Sequence, residues 1–247
     1  MKISIITAVY NGGGSIARTL ESVARQDHGA IEHIVVDGAS TDTTLAIVRS
    51  QGKRVARVIS EPDNGVYDAF NKGLRAATGD AVAFLNSGDT YVSSSVVSRM
   101  AYELARDGTQ AVFGDVSIVD GLDDAHVVRR YSSRCFTPRR MALGLMPAHP
   151  SLFLLRETYK SVGEYDTQFR IAGDFELCLR VFAKRATPYR YVPEPMVWMP
   201  RGGLSNSGWR SKWHITREMQ RACAIHGVQT NLAKLCLRFP LKILEMI

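Results

Sequence analysis

The strongest constraint on the fold of this chain is the way in which short apolar runs alternate with helical patterns over its first 115 residues. Five runs are rich in β-forming residues, and the segments between them place apolar side chains three and four residues apart. Strands that are apolar throughout and separated by helices predict a parallel sheet covered on both faces. The predicted strands are Ile3–Val9, Ile31–Val36, Val55–Ser60, Ala81–Leu85 and Ala111–Asp115, and the predicted helices are Ser15–Gln26, Thr41–Ser50, Val66–Thr78 and Ser94–Arg106.

Polar clusters follow the first four predicted strands. Open α/β sheets bind ligands beyond the carboxyl ends of their strands, so these clusters predict a ligand site at one edge of the sheet. Two of them also have a local structural interpretation, residues 37–42 as a turn with a helix cap and residues 86–89 as a tight turn. Ser15 is predicted to cap the first helix and Gly79 to close the third. The clusters are Thr7–Gly14, Asp37–Asp42, Glu61–Asp68 and Asn86–Asp89.

The second half of the chain is less regular. We expect a hairpin or an excursion within residues 116–131, a strand over Ser151–Leu155 and a helix over Phe175–Ala183. Ser211–Gly227 has helical spacing, and a basic amphipathic tail follows from Asn231.

The charge of the chain is unevenly placed. Residues 1–130 carry 13 Lys and Arg against 16 Asp and Glu, a net charge of −3, whereas residues 131–247 carry 18 against 8, a net charge of +10. A basic half favours an anionic partner such as phosphates or an anionic membrane surface, and a solvated basic surface is the plain alternative. Zinc-finger spacing, an aromatic RNA-binding segment and a helix-turn-helix pattern are all missing, so we predict no nucleic-acid partner.

Composition and targeting signals give further expectations. The chain is 45% apolar and 22% charged, which is typical of a globular protein. Its four cysteines have no C-x-x-C spacing and fit free thiols in a reducing compartment. No apolar run approaches the roughly 18 residues that span a bilayer, and the first residues read directly into a strand rather than a signal peptide. We therefore expect a cytoplasmic location.

Four segments, taken together and in order, resemble the signature of the family-two nucleotide-sugar glycosyltransferases. The resemblance is closest to the bacterial subgroup that builds exopolysaccharide, capsule or lipopolysaccharide side chains. It is strong over residues 3–90, moderate over His149–Arg180 and weak beyond about residue 210. The usual dinucleotide and P-loop fingerprints are absent. The segments are Ser4–Asn11, Val35–Asp42, Glu61–Gly73 and Phe84–Asp89.

The resemblance implies an α/β protein of GT-A fold, with a Rossmann-like, mainly parallel sheet flanked by helices and a C-terminal helical extension. The implied division is a glycosyltransferase domain over residues 1–210 and a basic amphipathic extension over residues 211–247. Within the first domain, residues 1–115 form the half that binds the nucleotide sugar and residues 116–210 form the acceptor half.

The resemblance also implies a donor site. In this interpretation Asp37 accepts a hydrogen bond from the nucleotide base, and Asp63 lies near the ribose and phosphates. Asp89 matches the last carboxylate of the metal motif that holds Mg²⁺ or Mn²⁺ on the diphosphate. Asn86 and Gly88 stand where further carboxylates often occur, but Mg²⁺ uses few protein ligands when phosphate and water supply the rest. The implied donor-binding residues are Thr7, Ala8, Tyr10, Asp37, Asp68, Lys72, Asn86 and Ser87.

The implied catalytic base is Asp174, at the start of a predicted helix. Gly173 stands at the position where the family usually has a glutamate. The alternative for Asp174 is a helix cap, for which aspartate is well suited. His149 is implied to bind the acceptor or a phosphate, with a structural histidine as the alternative. Arg201 begins a glycine-containing segment that resembles a flexible loop, from which it would neutralise the diphosphate, and a plain surface turn is the alternative.

The function implied is inverting transfer of a sugar from a nucleoside-diphosphate sugar to a hydroxyl of a saccharide or lipid-linked acceptor, in bacterial surface polysaccharide biosynthesis. A sugar-1-phosphate nucleotidyltransferase is a rival, although residues 11–15 lack the cation that such an enzyme places at the phosphates. A non-catalytic nucleotide-sugar-binding protein with a degenerate site is a second rival, which the missing carboxylates at positions 86 and 88 favour.

The tail raises two further expectations. Lys234, Arg238 and Lys242 are four residues apart, which places them on one helical face, and Pro240 is predicted to break or kink that helix. A short basic and apolar segment suits the inner face of an anionic membrane, where the protein would be peripheral. Packing on its own domain or on a second subunit, as a homodimer, is the alternative.

Overall fold

The computed structural model describes residues 1–120, 126–201 and 209–239. Within these ranges the chain forms one mixed sheet of nine strands and eight α-helices. The strands are β1 (Ile3–Val9), β2 (Ile31–Asp37), β3 (Val55–Ser60), β4 (Ala81–Phe84), β5 (Thr90–Tyr91), β6 (Ala111–Val119), β7 (Val127–Tyr131), β8 (Phe153–Leu155) and β9 (Tyr189–Pro200). The helices are α1 (Ile16–Ala24), α2 (Thr44–Gln51), α3 (Val66–Ala76), α4 (Val96–Leu104), α5 (Arg156–Val162), α6 (Gly173–Cys178), α7 (Trp209–Ile225) and α8 (Leu232–Cys236).

The first four strands are parallel, in the spatial order β3-β2-β1-β4, which confirms the sheet predicted for this half. The chain moves outward from β1 to β3 and then returns through α3 to the other side of β1. The order reverses between the carboxyl ends of β1 and β4, which is the position where open α/β sheets place their ligand crevice. Every residue of β1 and β4 is buried, because helices cover both faces of the sheet.

The remaining strands make the sheet mixed. It continues as β8-β6-β9-β5, with β8 antiparallel to both β4 and β6, and with β6 parallel to β9. The hairpin expected within residues 116–131 is the antiparallel pair of β6 and β7. Antiparallel neighbours need no helical crossover, which is why the periodic alternation of strand and helix fades in this half of the sequence.

Two helix ends differ from the sequence predictions. Ser15 does precede α1, but its hydroxyl donates to the carbonyl of Gly12 instead of capping the helix. Gly79 does not close α3, which ends at Ala76 and is followed by Ala77 in an extended conformation. The Gly79 amide instead donates to the Ser4 hydroxyl at 2.9 Å, and a Cβ at Gly79 would lie 2.7 Å from the Ser4 nitrogen. Glycine is therefore required there by close contact with β1.

Helices α7 and α8 share the main apolar core with α3, α6 and the sheet. Met219, Ala222, Cys223 and Leu235 are buried in that core. No helix of the described ranges is long and apolar enough to cross a membrane.

Arg238 corrects part of the prediction for the tail. Its guanidinium is buried and donates to the Thr216 hydroxyl at 2.7 Å and to the Leu235 carbonyl at 3.1 Å. These acceptors offset the cost of burying the charge, so Arg238 does not share an exposed basic face with Lys234, which is exposed. Lys242 and Pro240 lie outside the described residues.

Candidate active site

The tips of β1 and β4 meet at the crevice, as the sequence predicts. The Ser87 amide donates to the Ala8 carbonyl at 3.3 Å, and the hydroxyls of Ser87 and Ser15 are 2.9 Å apart. A Cβ at Gly12 would lie 2.8 Å from the Ser87 hydroxyl. The absence of a side chain at Gly12 thus lets the two polar loops approach closely.

Asp37 ends β2 with its carboxylate fully buried. It accepts hydrogen bonds from the Ser40 amide, at 3.1 and 3.3 Å, and from the Ser60 hydroxyl at 2.8 Å. Ala39, between Asp37 and Ser40, has a φ of 61° and completes the tight turn. The structure therefore gives Asp37 a clear role in shaping this loop, and its contact with a base remains a prediction.

Tyr10 and Asp63 both lie against Gly38, on the side where a Cβ would project. A Cβ at Gly38 would be 2.4 Å from an oxygen of Asp63 and 3.4 Å from the Tyr10 ring. Tyr10 is 66% exposed, so its ring offers an aromatic surface beside a carboxylate. That pairing suits the stacking and hydrogen bonding of a nucleotide base.

The Thr7 side chain points into the protein. Its hydroxyl is 3.0 Å from Nε2 of His33, and both residues are fully buried. Burial lowers the pKa of His33 to about 4, so the ring is neutral at neutral pH. Sequence reasoning missed His33, because a lone histidine within a strand carries no local signal.

Asp68 and Lys72 organise the turn that leads into α3. Asp68 accepts from the Asn64 amide at 3.0 Å. The Lys72 ammonium donates to the Pro62 carbonyl at 2.6 Å and lies 3.1 Å from Glu61 and 3.7 Å from Asp68. These contacts hold the predicted donor-binding pair next to the loop that carries Asp63.

The loop of residues 86–89 combines a tight turn with a buried carboxylate. Gly88 has a φ of 100°, and the Thr19 hydroxyl accepts from the Gly88 amide and donates to the Asp89 carbonyl, each at 2.9 Å. Asp89 is 5% exposed, and burial raises the pKa of its carboxyl to about 7. Among the residues described, no cation pairs with Asp89, and the Asn86 Oδ1 atom is buried without a hydrogen-bond partner.

Asp174 is the second residue of α6, and Ala172 occupies the cap position. The Asp174 Oδ1 atom accepts from the Phe175 amide at 2.8 Å and lies 3.4 Å from the Tyr67 hydroxyl. Asp174 is partly exposed. The structure therefore does not place Asp174 at the helix cap, and its role as a base remains a prediction.

Glu218 on α7 is a residue of this region that sequence reasoning missed. Its carboxylate accepts from the amides of Arg170, Ile171 and Ala172 at 2.8–2.9 Å. The segment that enters α6 is thereby anchored by a helix from the C-terminal region. No local pattern could reveal this contact, because its partners are 46 to 48 residues apart.

His149 is buried beneath the site. Its Nε2 atom is 2.8 Å from the Tyr165 hydroxyl, and its ring stacks on Phe70 and Phe84. Burial lowers the pKa of His149, and the charge of Asp174 opposes this shift only in part. A neutral, enclosed imidazole suits a positioning contact better than phosphate binding.

Arg201 follows β9 at the edge of the crevice. Its amide donates to the Val119 carbonyl at 2.9 Å, and Arg201 as a whole is exposed. The preceding Pro200 ring lies 3.9 Å from the position of a Cβ at Gly88. The backbone of Arg201 therefore lies close to the loop that carries Asp89. The predicted loop glycines, Gly202 and Gly203, lie outside the described residues.

Comparison with known proteins defines the class. Residues 4–163 match the family model described as glycosyl transferase family 2. A PGL/p-HBAD biosynthesis glycosyltransferase of Mycobacterium tuberculosis is 30% identical over 213 residues, which cover 83% of this chain and 79% of the relative. The chain belongs to glycosyl transferase family 2. An uncharacterized glycosyltransferase of the same organism is 35% identical over 182 residues, covering 72% of this chain and 68% of its own length.

Solved structures share the fold. TarS 1-349 of S. aureus, in complex with UDP, superposes with a TM-score of 0.68 at 19% identity and covers 90% of this chain, which spans 65% of that structure. A mannosyltransferase from Pyrobaculum calidifontis, in complex with GDP-Man and Mn²⁺, has a TM-score of 0.60 at 19% identity, covering 100% of this chain and 81% of that one. These likenesses confirm the GT-A fold, as a curled mixed sheet flanked by helices.

Proposed function

We propose that the chain transfers a sugar, with inversion, from a nucleoside-diphosphate sugar to a hydroxyl of a saccharide or lipid-linked acceptor. One observation carries this proposal. The polar loops after β1, β2 and β4 meet at the switch point of the sheet, and Tyr67 links the donor-side helix α3 to Asp174. A donor site and a carboxylate base are thus joined through one side chain.

The donor end of the crevice suits a nucleotide. Tyr10 offers an exposed ring beside Asp63, and the loop of residues 86–89 faces the end of β9, where Arg201 begins. The two structural neighbours bind UDP and GDP-Man, a pyrimidine and a purine nucleotide. The fold therefore accommodates either base, and a binding screen has to identify the donor of this chain.

The chemistry follows from a single displacement. Asp174 accepts the proton of the acceptor hydroxyl while that oxygen forms a bond to the anomeric carbon. The bond between this carbon and the diphosphate oxygen breaks, and its electron pair leaves with the nucleoside diphosphate. Attack from the face opposite the leaving group inverts the anomeric centre. Arg201 offers a positive charge to the leaving diphosphate.

A divalent metal fits the loop of residues 86–89 as a partner of the diphosphate. Asp89 is a buried carboxylate without an ion pair among the described residues, and the Asn86 Oδ1 atom is an unpartnered buried oxygen. Oxygen donors of this kind suit Mg²⁺ or Mn²⁺, and the metal would supply charge neutralisation at the diphosphate. Within the described ranges no group of three or more His, Cys, Asp or Glu is placed to hold a metal ion, so phosphate and water would complete the coordination.

The charge and the exposed side chains of the second half of the chain bear on the acceptor and the location. The net charge of +10 over residues 131–247 and the exposed Lys234 favour an anionic surface such as the cytoplasmic membrane. Trp213, on α7, is 46% exposed and would suit the same interface. A lipid-linked acceptor in surface polysaccharide biosynthesis fits these features, and packing of the tail on a second subunit is the alternative.

Two measurements test the function. The first is a thermal-shift screen of UDP, dTDP, GDP, ADP and CDP, with and without Mn²⁺, because a ligand of the native state raises the midpoint of unfolding. The second measures product release from the matching nucleotide sugar. Slow release of nucleoside diphosphate identifies a transferase, whereas pyrophosphate formed from nucleoside triphosphate and sugar phosphate identifies a nucleotidyltransferase. Binding without turnover identifies the non-catalytic protein.

A further inference from the structure

We propose that Glu218 and Tyr67 are positioning residues that hold the Asp174 carboxylate in its working orientation, an inference that rests on the proposed role of Asp174 as the base. Their main partners are backbone groups of residues 170–173, the segment immediately before Asp174. Glu218 holds the amides of this segment, and Tyr67 holds a carbonyl. Together they fix the start of α6 from two different helices.

Glu218 holds the segment that leads into α6. Its carboxylate accepts from the amide of the cap residue Ala172 and from the two amides before it, so it fixes the backbone on which the helix begins. One oxygen of Glu218 accepts from Arg170 at 2.9 Å, and the other accepts from Ile171 at 2.9 Å and Ala172 at 2.8 Å. The Glu218 side chain is 11% exposed, which strengthens these charged hydrogen bonds.

Tyr67 acts on the same segment through its hydroxyl and its ring. The hydroxyl donates to the Ile171 carbonyl at 2.5 Å and lies 3.4 Å from the Asp174 carboxylate. The ring lies against Gly173, where a Cβ would be 2.8–2.9 Å from three ring atoms. It also stacks on Tyr165 with a centroid separation of 5.6 Å, which restricts its own motion. The Tyr67 ring is therefore held in one orientation, and its hydroxyl stays close to the Asp174 carboxylate.

The expected effect is on turnover and not on donor binding. Misplacing a catalytic group by about 1 Å costs roughly 10²-fold in rate. Tyr67→Phe keeps the ring over Gly173 and removes only the hydroxyl. Glu218→Gln keeps the shape but replaces one accepting oxygen with a donor that faces amide groups. We expect each variant to lower kcat by about 10- to 100-fold while the donor Kd stays within about twofold.

The experiment measures nucleoside diphosphate release, with water as the acceptor, from whichever of UDP-GlcNAc, GDP-Man or the screened nucleotide sugars stabilises the protein. Each substitution is made alone and in an Asp174→Asn background. Tyr159→Phe and Glu103→Gln are the matched controls. They make the same chemical changes at a tyrosine that packs beside Tyr165 and at a glutamate that pairs with Arg190, away from the start of α6. Unfolding midpoints and donor Kd values are measured for every variant.

Positioning through Asp174 predicts that Tyr67→Phe and Glu218→Gln cause no further loss once Asp174 is asparagine, because the group that they orient is gone. Wild-type turnover in both single variants would overturn the inference while leaving Asp174 as the base. An equal further loss in the Asp174→Asn background would also overturn it, since that is the result of a purely structural role. Wild-type turnover of Asp174→Asn itself would instead overturn the proposed function and the inference together.

Discussion

The Tyr67 ring occupies the space that a side chain at Gly173 would fill. A Cβ at Gly173 would approach three carbon atoms of that ring to within 2.8–2.9 Å. The two residues are therefore complementary, because the large Tyr67 side chain on α3 fills the space left by the missing side chain of Gly173 on α6. A glutamate at position 173, which the family resemblance would lead one to expect, does not fit beside Tyr67 in this arrangement.

The Tyr67–Gly173 contact predicts the effect of a small substitution. Gly173→Ala should displace the ring or the start of α6, lowering the free energy of unfolding by about 1–3 kcal/mol as overpacked sites do. It should also lower kcat, because Tyr67 then loses its bond to Ile171. Chemical denaturation and turnover measure the two effects. Gly29→Ala is the control, since no atom lies within 4 Å of its added Cβ; equal behaviour of the two variants would contradict the prediction.

Asp89→Asn should leave the fold intact and remove most of the transfer activity. The Asp89 carboxylate makes no ion pair within the described residues, so an amide of the same shape costs little stability. Loss of several kcal/mol of charge stabilisation at the diphosphate corresponds to at least about 10²-fold in rate. Turnover is compared with that of Asp107→Asn, an exposed aspartate. A wild-type rate for Asp89→Asn, or full wild-type activity in excess EDTA, would rule out the metal.

Asp174→Asn should lower kcat by roughly 10²–10⁴-fold, the usual contribution of a general base. Donor affinity should barely change, because the base acts on the acceptor. Calorimetric titration of the nucleotide and steady-state turnover separate the two effects. Lost donor binding, or activity retained within about threefold, would show that Asp174 serves only the structure of α6.

Two lysines of the tail, the exposed Lys234 and Lys242, which lies outside the described residues, give a membrane prediction. Truncation at Gln229 is a poor test, because it also removes the fully buried Leu235 and the buried Arg238. Lys234→Gln combined with Lys242→Gln should instead reduce binding to anionic vesicles by about 30-fold, since each cation contributes about 1 kcal/mol. Co-sedimentation at low and high salt measures this. Unchanged pelleting, or the same loss with the exposed Lys160→Gln, would exclude the tail as the anchor.

His33 predicts how stability depends on pH. Burial lowers its pKa from 6.5 to about 4, so between these values the unfolded chain binds a proton that the folded chain does not. The contribution of His33 to the free energy of unfolding is fully present above pH 6.5 and falls by up to about 3 kcal/mol as the pH drops to 4. His149, whose pKa burial also lowers, acts in the same direction.

Urea unfolding of the wild-type protein across this pH window tests the prediction for His33. Between pH 6.5 and 4 the stability of His33→Gln should shift relative to that of the wild-type protein by up to about 3 kcal/mol in favour of the variant, because glutamine does not titrate. Asp89, whose pKa burial raises to about 7, titrates in the opposite direction in both proteins and so cancels from this comparison. His126→Gln, an exposed histidine, should leave the slope unchanged. A wild-type slope in His33→Gln would show that other groups control the acid sensitivity.

Much of the donor half could be predicted from sequence because its information is local. The strands and helices predicted over residues 1–115 match observed elements to within three residues at most ends, whereas the two-residue strand β5 was not predicted. The extension of β6 to Val119 is the main exception, and its pairing with β7 and β9 explains it. Ala8 and Ser87, 79 residues apart in the chain, belong to two polar clusters that the sequence predicts at one edge of the sheet, because each cluster lies at the carboxyl end of a parallel strand.

The amino-acid sequence by itself determined the periodicity of the elements, the polar loops at the strand ends and the ordered motifs that identify the family. Tertiary structure alone decided which distant groups complete the site and the core. Thr7 meets His33 across 26 residues, Tyr67 meets Asp174 across 107, and Arg238 is buried against Thr216. The physical reason is that periodicity reports which face of an element is apolar, whereas a hydrogen bond between elements depends on how their faces meet. Glu218 illustrates the difference, because on its own helix it is one polar residue among several and against Ala172 it becomes the acceptor for the start of α6.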